Sequence, residues 1–258
     1  MPHTLEFGVT VLAIVGASFY GQRVFWPRFR QAIARGQTDV RLRAYRHEVA
    51  TQWVAAGIVA ALWIVDGRSW SALRLTPPST IGWLVSLVIV LSMIAFTLRQ
   101  MRHVAGASLQ RVERIRAKVL NAAAENPKME FLMPRTADEY RWFLGLSLTA
   151  GVCEELICRG YFTWLLTPWL GAVGAVAVVS IGFGMGHAYQ GWAGVVKTAT
   201  VGAVMGAIML VTGWLIPAMI VHALLDAGSG TIVFRVLRDG PAPDSLDGAR
   251  VIAKSATP

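Results

Sequence analysis

The chain has 258 residues, of which 55% are hydrophobic and only 15% are charged, and its mean hydropathy is +0.51. A water-soluble domain of this length does not need so many apolar residues for its core, so the composition excludes an ordinary soluble protein. The formal net charge of +9 comes from 24 Lys and Arg residues that stand mostly in short connections between apolar runs. This placement is typical of membrane topology rather than of a nucleic-acid-binding surface, and no nucleic-acid partner is expected.

Apolar runs of about 17 to 25 residues, the length of helix that crosses a bilayer, recur along the chain. Open sheets leave backbone groups unpaired in lipid, and the runs lack the alternation of barrel strands, so the predicted fold class is an all-α integral membrane protein. The predicted spans cover residues 4–21, 49–65, 81–98, 140–166, 168–189, 194–212 and 214–234. Thr136 and Glu139 have the spacing of a capping box, which predicts a helix start just before the fourth span.

Basic residues are distributed unevenly between the connections. The first connection, from Gln22 to Glu48, contains seven arginines, whereas the next contains only Arg68 and Arg74. The positive-inside rule therefore predicts an external N-terminus and a cytoplasmic C-terminus. The compact length and the lack of eukaryotic sorting signals favour a bacterial inner membrane.

The pattern divides the chain into four parts. Residues 1–100 hold three transmembrane helices, the first of which lacks a signal-peptide cleavage site and is expected to remain as an anchor. Residues 101–135 are basic, with apolar residues at helical spacing, which favours an amphipathic helix on the anionic inner leaflet or a solvated helix. Residues 136–234 hold a bundle of four helices, and residues 235–258 are predicted to form a flexible cytoplasmic tail.

Six ionisable residues stand inside the last four apolar runs. They are Glu154, Glu155, Arg159, His187, His222 and Asp226. Because a charged residue at the bilayer centre costs about 2.5 to 3.5 kcal/mol, such residues usually mark a functional site. Taken singly, each has a structural explanation as part of an ion pair or an interhelical hydrogen bond. The combination favours a functional site.

The spacing predicts how some of these side chains meet. Glu155 lies four residues before Arg159, which allows an internal ion pair on one face of a helix. Glu154 points about 100° away from Glu155. We therefore expect Glu154 to face His187 and His222 across a cavity between the helices.

Three motifs carry the six residues in order along the chain. They are Glu154-Glu155-Leu156-Ile157-Cys158-Arg159, Phe183-Gly184-Met185-Gly186-His187 and His222-Ala223-Leu224-Leu225-Asp226. The order resembles the EExxxR, FxxxH and HxxxN/D motifs of the CPBP family of intramembrane proteases, also called Abi, which includes the CAAX proteases that trim prenylated proteins. The resemblance covers roughly residues 136 to 230. Cys158 stands where an aromatic or aliphatic residue is usual, and Asp226 where Asn is more common.

The resemblance implies hydrolysis of a peptide bond in a membrane-associated substrate, such as a prenylated CAAX-type protein. In the scheme it implies, Glu154 activates a water with help from His187, while His222 and Asp226 stabilise the oxyanion, and no cofactor is required. Asp226 fits that role only if it is protonated, because an ionised carboxylate accepts but does not donate. If ionised, Asp226 is expected to orient His222 through a ring N–H.

Two alternatives stay open. In a metalloprotease, Glu154, His187 and His222 bind zinc and leave one position for water. The alternative outside the enzyme class is a non-catalytic membrane factor, such as a bacteriocin immunity protein or a scaffold. A transporter is disfavoured because the charges cluster without repeated, interrupted spans.

Overall fold

The computed structural model describes Gly8, Gly16 and residues 19–238, and this part of the chain is all-helical, as predicted. The α-helices are α1 (Trp26–Ala34), α2 (Val40–Val65), α3 (Thr80–Ala105), α4 (Leu109–Glu125), α5 (Ala137–Glu155), α6 (Thr163–Gly186), α7 (Trp192–Thr212) and α8 (Ile216–Arg238). Segments Gly21–Phe25 and Leu156–Phe162 are π-helical, and Trp70–Leu73, Pro127–Leu132 and Ala188–Gln190 are 3₁₀-helical. The predicted first span, residues 4–21, lies almost wholly outside the described residues, as does the predicted tail beyond Arg238.

Five helical runs in the described part of the chain are long and apolar enough to cross a membrane, so the protein is a multi-pass membrane protein. They are Val40–Val65, Thr80–Ala105, Ala137–Gly186, Trp192–Thr212 and Ile216–Arg238. The predicted count of seven spans is not confirmed. The predicted fourth span and all but the last three residues of the fifth fall within the single run Ala137–Gly186.

That run contains one break in its helical backbone. A straight helix of 50 residues is about 75 Å long, more than twice the thickness of a hydrocarbon core. Gly171 interrupts it with φ 66° and ψ 167°, a conformation that glycine adopts readily because it has no Cβ. The boundary predicted near residue 167 therefore has a structural counterpart four residues later, just after Pro168.

Two helix starts show how local sequence fixes the ends of the spans. α5 begins at the predicted capping box, in which Thr136 Oγ1 accepts from the Glu139 amide at 3.2 Å and the Glu139 carboxylate accepts from the Thr136 amide at 3.1 Å. α2 begins at Val40 rather than at residue 49. The extra turns contain Arg41, whose guanidinium pairs with Glu130 at 2.9 Å and with Glu139 at 3.1 Å. These partners allow the helix to continue beyond its apolar part.

The helices of the last half of the chain approach one another closely. α5 packs against α8 and α2, and α6 packs against α7. A Cβ added at Gly151 of α5 would lie 2.7 Å from the Met219 carbonyl oxygen of α8, and one at Gly184 of α6 would lie 2.6 Å from the Val195 carbonyl oxygen of α7. Glycine at these two positions therefore permits backbone contact beside the ionisable residues.

The N-terminal helices are joined to this bundle by an aromatic cluster. Its buried members are Trp26, Phe29, Tyr45, Phe131 and Phe143. The Tyr189 ring, in the connection after α6, stacks on Trp26 with 4.5 Å between centroids. The cluster therefore fixes α1 and α2 against both α5 and the turn that follows α6.

Candidate active site

A buried ion pair stands at the junction of α5 and the π-helical segment. Arg159 Nη1 donates to Glu155 Oε1 at 2.8 Å, and the two side chains are only 1% and 0% exposed. The guanidinium also lies over the Phe183 ring, 4.2 Å from its centroid. The contact follows from the spacing of four residues, and each charge compensates the burial of the other. π-helical segments such as the one that carries Arg159 are frequent at functional sites.

His222 of α8 connects the ion pair to the neighbouring carboxylates. Its Nδ1 lies 2.7 Å from Glu155 Oε1, and because an ionised carboxylate only accepts, Nδ1 carries the proton and donates. Its Nε2 faces away from Glu155 and lies 3.5 Å from Asp226 Oδ2 and 3.9 Å from Glu154 Oε2. Glu155 thus binds both Arg159 and His222, whereas the sequence alone suggested Arg159 as its partner.

Glu154 is more accessible than Glu155, with side chains 21% and 0% exposed, although each carboxylate has one oxygen without a hydrogen-bond partner among the described residues. Its Oε1 accepts from Gln52 Nε2 at 2.9 Å. Its Oε2 is buried and has no hydrogen-bond partner among the described residues, with His222 Nε2 3.9 Å away. The unpaired oxygen is the one nearest to the histidine, which suits a carboxylate that takes up a proton during a reaction.

Gln52 is a site residue that sequence reasoning missed. It lies on α2, 102 positions before Glu154, and no motif includes it. The signal that the sequence did contain is the position of a polar residue inside an apolar run, four residues after Glu48, to which it also donates at 3.3 Å.

His187 follows the last residue of α6 and is held by that helix. Its Nδ1 lies 2.8 Å from the Phe183 carbonyl oxygen, so Nδ1 donates and Nε2 is the acceptor in a neutral ring. The Phe183 ring contacts both histidines, with centroids 4.7 Å from His187 and 6.0 Å from His222. Asn126 fixes the following turn by donating to the Tyr189 carbonyl oxygen at 2.7 Å. His187 therefore joins the site through Phe183 and makes no hydrogen bond to Glu154.

The three residues named as zinc ligands do not form a ready metal site. Within the described residues, no group of three or more His, Cys, Asp or Glu side chains is arranged to hold a metal ion. Both histidines nevertheless have Nδ1 bound to an oxygen, of a backbone carbonyl for His187 and of Glu155 for His222. This orientation is typical of metal-binding histidines, so the Nε2 atoms of both rings suit zinc. The Glu154 carboxylate and the two rings must move closer together to bind it.

A family model described as type II CAAX prenyl endopeptidase, Rce1-like, matches residues 136–228. The match starts at the capping box of α5 and ends just after the third motif, so it contains all six ionisable residues. It agrees, over this segment, with the family that the three motifs resemble. No match was found among curated proteins or among solved structures. Gln52 lies outside the matched segment.

Proposed function

We propose that the chain hydrolyses a peptide bond of a membrane-associated substrate with Glu154 as general base, since residues 136–228 match the type II CAAX prenyl endopeptidase model. The observation that carries this proposal is the arrangement of the Glu154 carboxylate. One of its oxygens is bound by Gln52, and the other is buried, unpaired among the described residues and directed toward His222.

In the proposed reaction, Glu154 Oε2 accepts a proton from a water molecule whose oxygen attacks the substrate carbonyl carbon. The same carboxyl group then delivers the proton to the leaving amine when the C–N bond breaks. His187 assists by orienting the water through Nε2, since its Nδ1 is already bound to the Phe183 carbonyl oxygen. No step of this scheme requires a cofactor.

The oxyanion of the tetrahedral intermediate is assigned to His222. With Nδ1 bound to Glu155, the imidazolium form donates from Nε2 into the site. Arg159 contributes indirectly by holding Glu155 in place at 2.8 Å. Asp226, 3.5 Å from Nε2, donates to the oxyanion if it is protonated and orients the His222 ring if it is ionised.

The exterior of the bundle is consistent with a substrate that arrives through the membrane. Large apolar side chains such as Val65, Val173 and Val211 are 81%, 75% and 71% exposed, as expected for contact with lipid. Together with the match to the prenyl endopeptidase model, this supports a substrate with a lipidated or apolar segment, with a prenylated CAAX-type tail as the leading class.

The test is cleavage of lipidated and membrane-bound peptides by the purified, reconstituted protein. We expect the wild type to cut at least one lipidated peptide, and Glu154→Gln to lower kcat by about 10²- to 10⁴-fold, as loss of a general base does. His187→Ala and His222→Ala should also lose most activity. The matched control is Glu113→Gln, a half-exposed glutamate of α4, which should cut normally. Cleavage by Glu154→Gln at the wild-type rate would contradict the proposal and favour a non-catalytic role.

A metal requirement is tested in the same assay. The zinc scheme is favoured by one observation, the binding of both histidine Nδ1 atoms to oxygens. In the proposed glutamate scheme, activity survives complete chelation and metal analysis finds no bound zinc. Loss of activity on chelation that zinc restores would instead assign Glu154, His187 and His222 as ligands.

A further inference from the structure

We infer that Gln52 of α2 is a positioning residue for Glu154, so that the active site extends beyond the matched family segment into the N-terminal helices. The inference rests on the proposed role of Glu154 as general base. It concerns a residue that does not touch the reacting atoms but holds the Glu154 carboxylate in the orientation that reaches them.

The hydrogen bonds of Gln52 define the orientation of its amide group. Its Nε2 lies 2.9 Å from Glu154 Oε1 and 3.3 Å from Glu48 Oε1. Ionised carboxylates only accept, and an amide nitrogen has two N–H donors, so the nitrogen rather than the oxygen must face the two glutamates. Both donors of Gln52 are then used, one by each carboxylate.

This bond fixes the Glu154 carboxylate from one side. The Gln52 amide is its only hydrogen-bond partner among the described residues. With Oε1 held by Gln52, Oε2 faces His222 Nε2 at 3.9 Å. Without Gln52, the terminal torsion of Glu154 is broad, so the plane of the carboxylate rotates freely and no oxygen is held toward the site.

The position of α2 itself does not depend on Gln52. The next residue, Trp53, donates from its indole nitrogen to Thr149 Oγ1 of α5 at 3.2 Å. Tyr45 is fully buried in the aromatic cluster near the start of the helix. A neutral residue of similar length at position 52 therefore removes the bond to Glu154 while α2 stays in place.

The experiment compares Gln52→Met with Trp53→Phe in the full chain, using a peptide that the wild type cuts rapidly and Glu154→Gln cuts slowly but measurably. Methionine has nearly the length of glutamine but no donor, so kcat should fall about 10- to 100-fold with little change in KM, as expected when a reacting group loses its orientation. Trp53→Phe removes the neighbouring α2–α5 hydrogen bond and should keep kcat within about twofold of wild type. Gln52→Met should cause no further loss in a Glu154→Gln background, because the two residues act as a unit.

The outcomes separate this inference from the proposed function. If Glu154→Gln cuts slowly and Gln52→Met has the wild-type kcat, the positioning role is wrong while the general base stands. Equal losses of kcat and of thermal stability in Gln52→Met and Trp53→Phe would make Gln52 a structural contact only. If Glu154→Gln cuts as well as wild type, the proposed function fails first, and the role of Gln52 fails with it.

Discussion

At the scale of single residues, two adjacent glutamates acquire different properties from their surroundings. Glu155 is fully buried and binds both Arg159 and His222, whereas the Glu154 side chain is 21% exposed and is bound by Gln52. The sequence predicted the pair of Glu155 with Arg159 because spacing along one helix determines it. It did not predict the bonds to His222 and Gln52, because these depend on how α8 and α2 pack against α5.

The buried pair leads to a prediction about stability. Arg159→Met leaves the Glu155 charge buried with His222 as its remaining partner, and we expect a loss of about 3 to 5 kcal/mol in the free energy of unfolding. The matched control is Arg141→Met, which breaks an ion pair with Asp138 whose side chains are 77% and 72% exposed. That loss should be about 1 kcal/mol or less. Unfolding of both variants in detergent measures the difference, and equal losses would contradict the structural role of Arg159.

At the scale of helices, hydrophobic length located the spans better than it located their ends and breaks. The sequence divided the run Ala137–Gly186 into two spans near residue 167, but the π-helical segment and the break at Gly171 leave no trace in the hydrophobic pattern. The capping box at Thr136 was predictable because its hydrogen bonds are local. Which glycines contact a neighbouring helix was not, since that depends on the direction each one faces.

Two glycines of α5 provide a direct test of helix approach. In Gly151→Ala, the new Cβ would lie 2.7 Å from the Met219 carbonyl oxygen and 2.8 Å from the Ala223 Cβ, so α5 and α8 must separate. We expect a loss of about 1 to 3 kcal/mol in stability, together with lower activity, because His222 lies on α8. Gly145→Ala is the control on the same helix, with nothing within 4 Å of the new Cβ, and it should be neutral or stabilising. Thermal unfolding and cleavage assays that fail to distinguish the two variants would show that close approach at Gly151 is unimportant.

At the scale of the whole molecule, the sequence predicted a membrane protein with a site in its last four helices but assigned no role to the first three. The structure connects α1 and α2 to the later helices through residues distant in the chain. Arg41 of α2 pairs with Glu130 and Glu139, which are 89 and 98 positions later, and Trp26 stacks on Tyr189. Pairing across such separations has no periodic signal, so composition and spacing alone did not reveal it.

The orientation of the molecule in the membrane remains a prediction from the distribution of basic residues. It places the connection that contains Ser71 outside and the connection that contains Ser108 in the cytoplasm, and both serines are exposed. A membrane-impermeant maleimide should therefore label Ser71→Cys in intact cells and Ser108→Cys only after permeabilisation. Wild-type protein supplies the background, because Cys153 is buried and Cys158 is partly buried. The reverse labelling would contradict the predicted orientation, because it would place the basic connections on the outer side of the membrane.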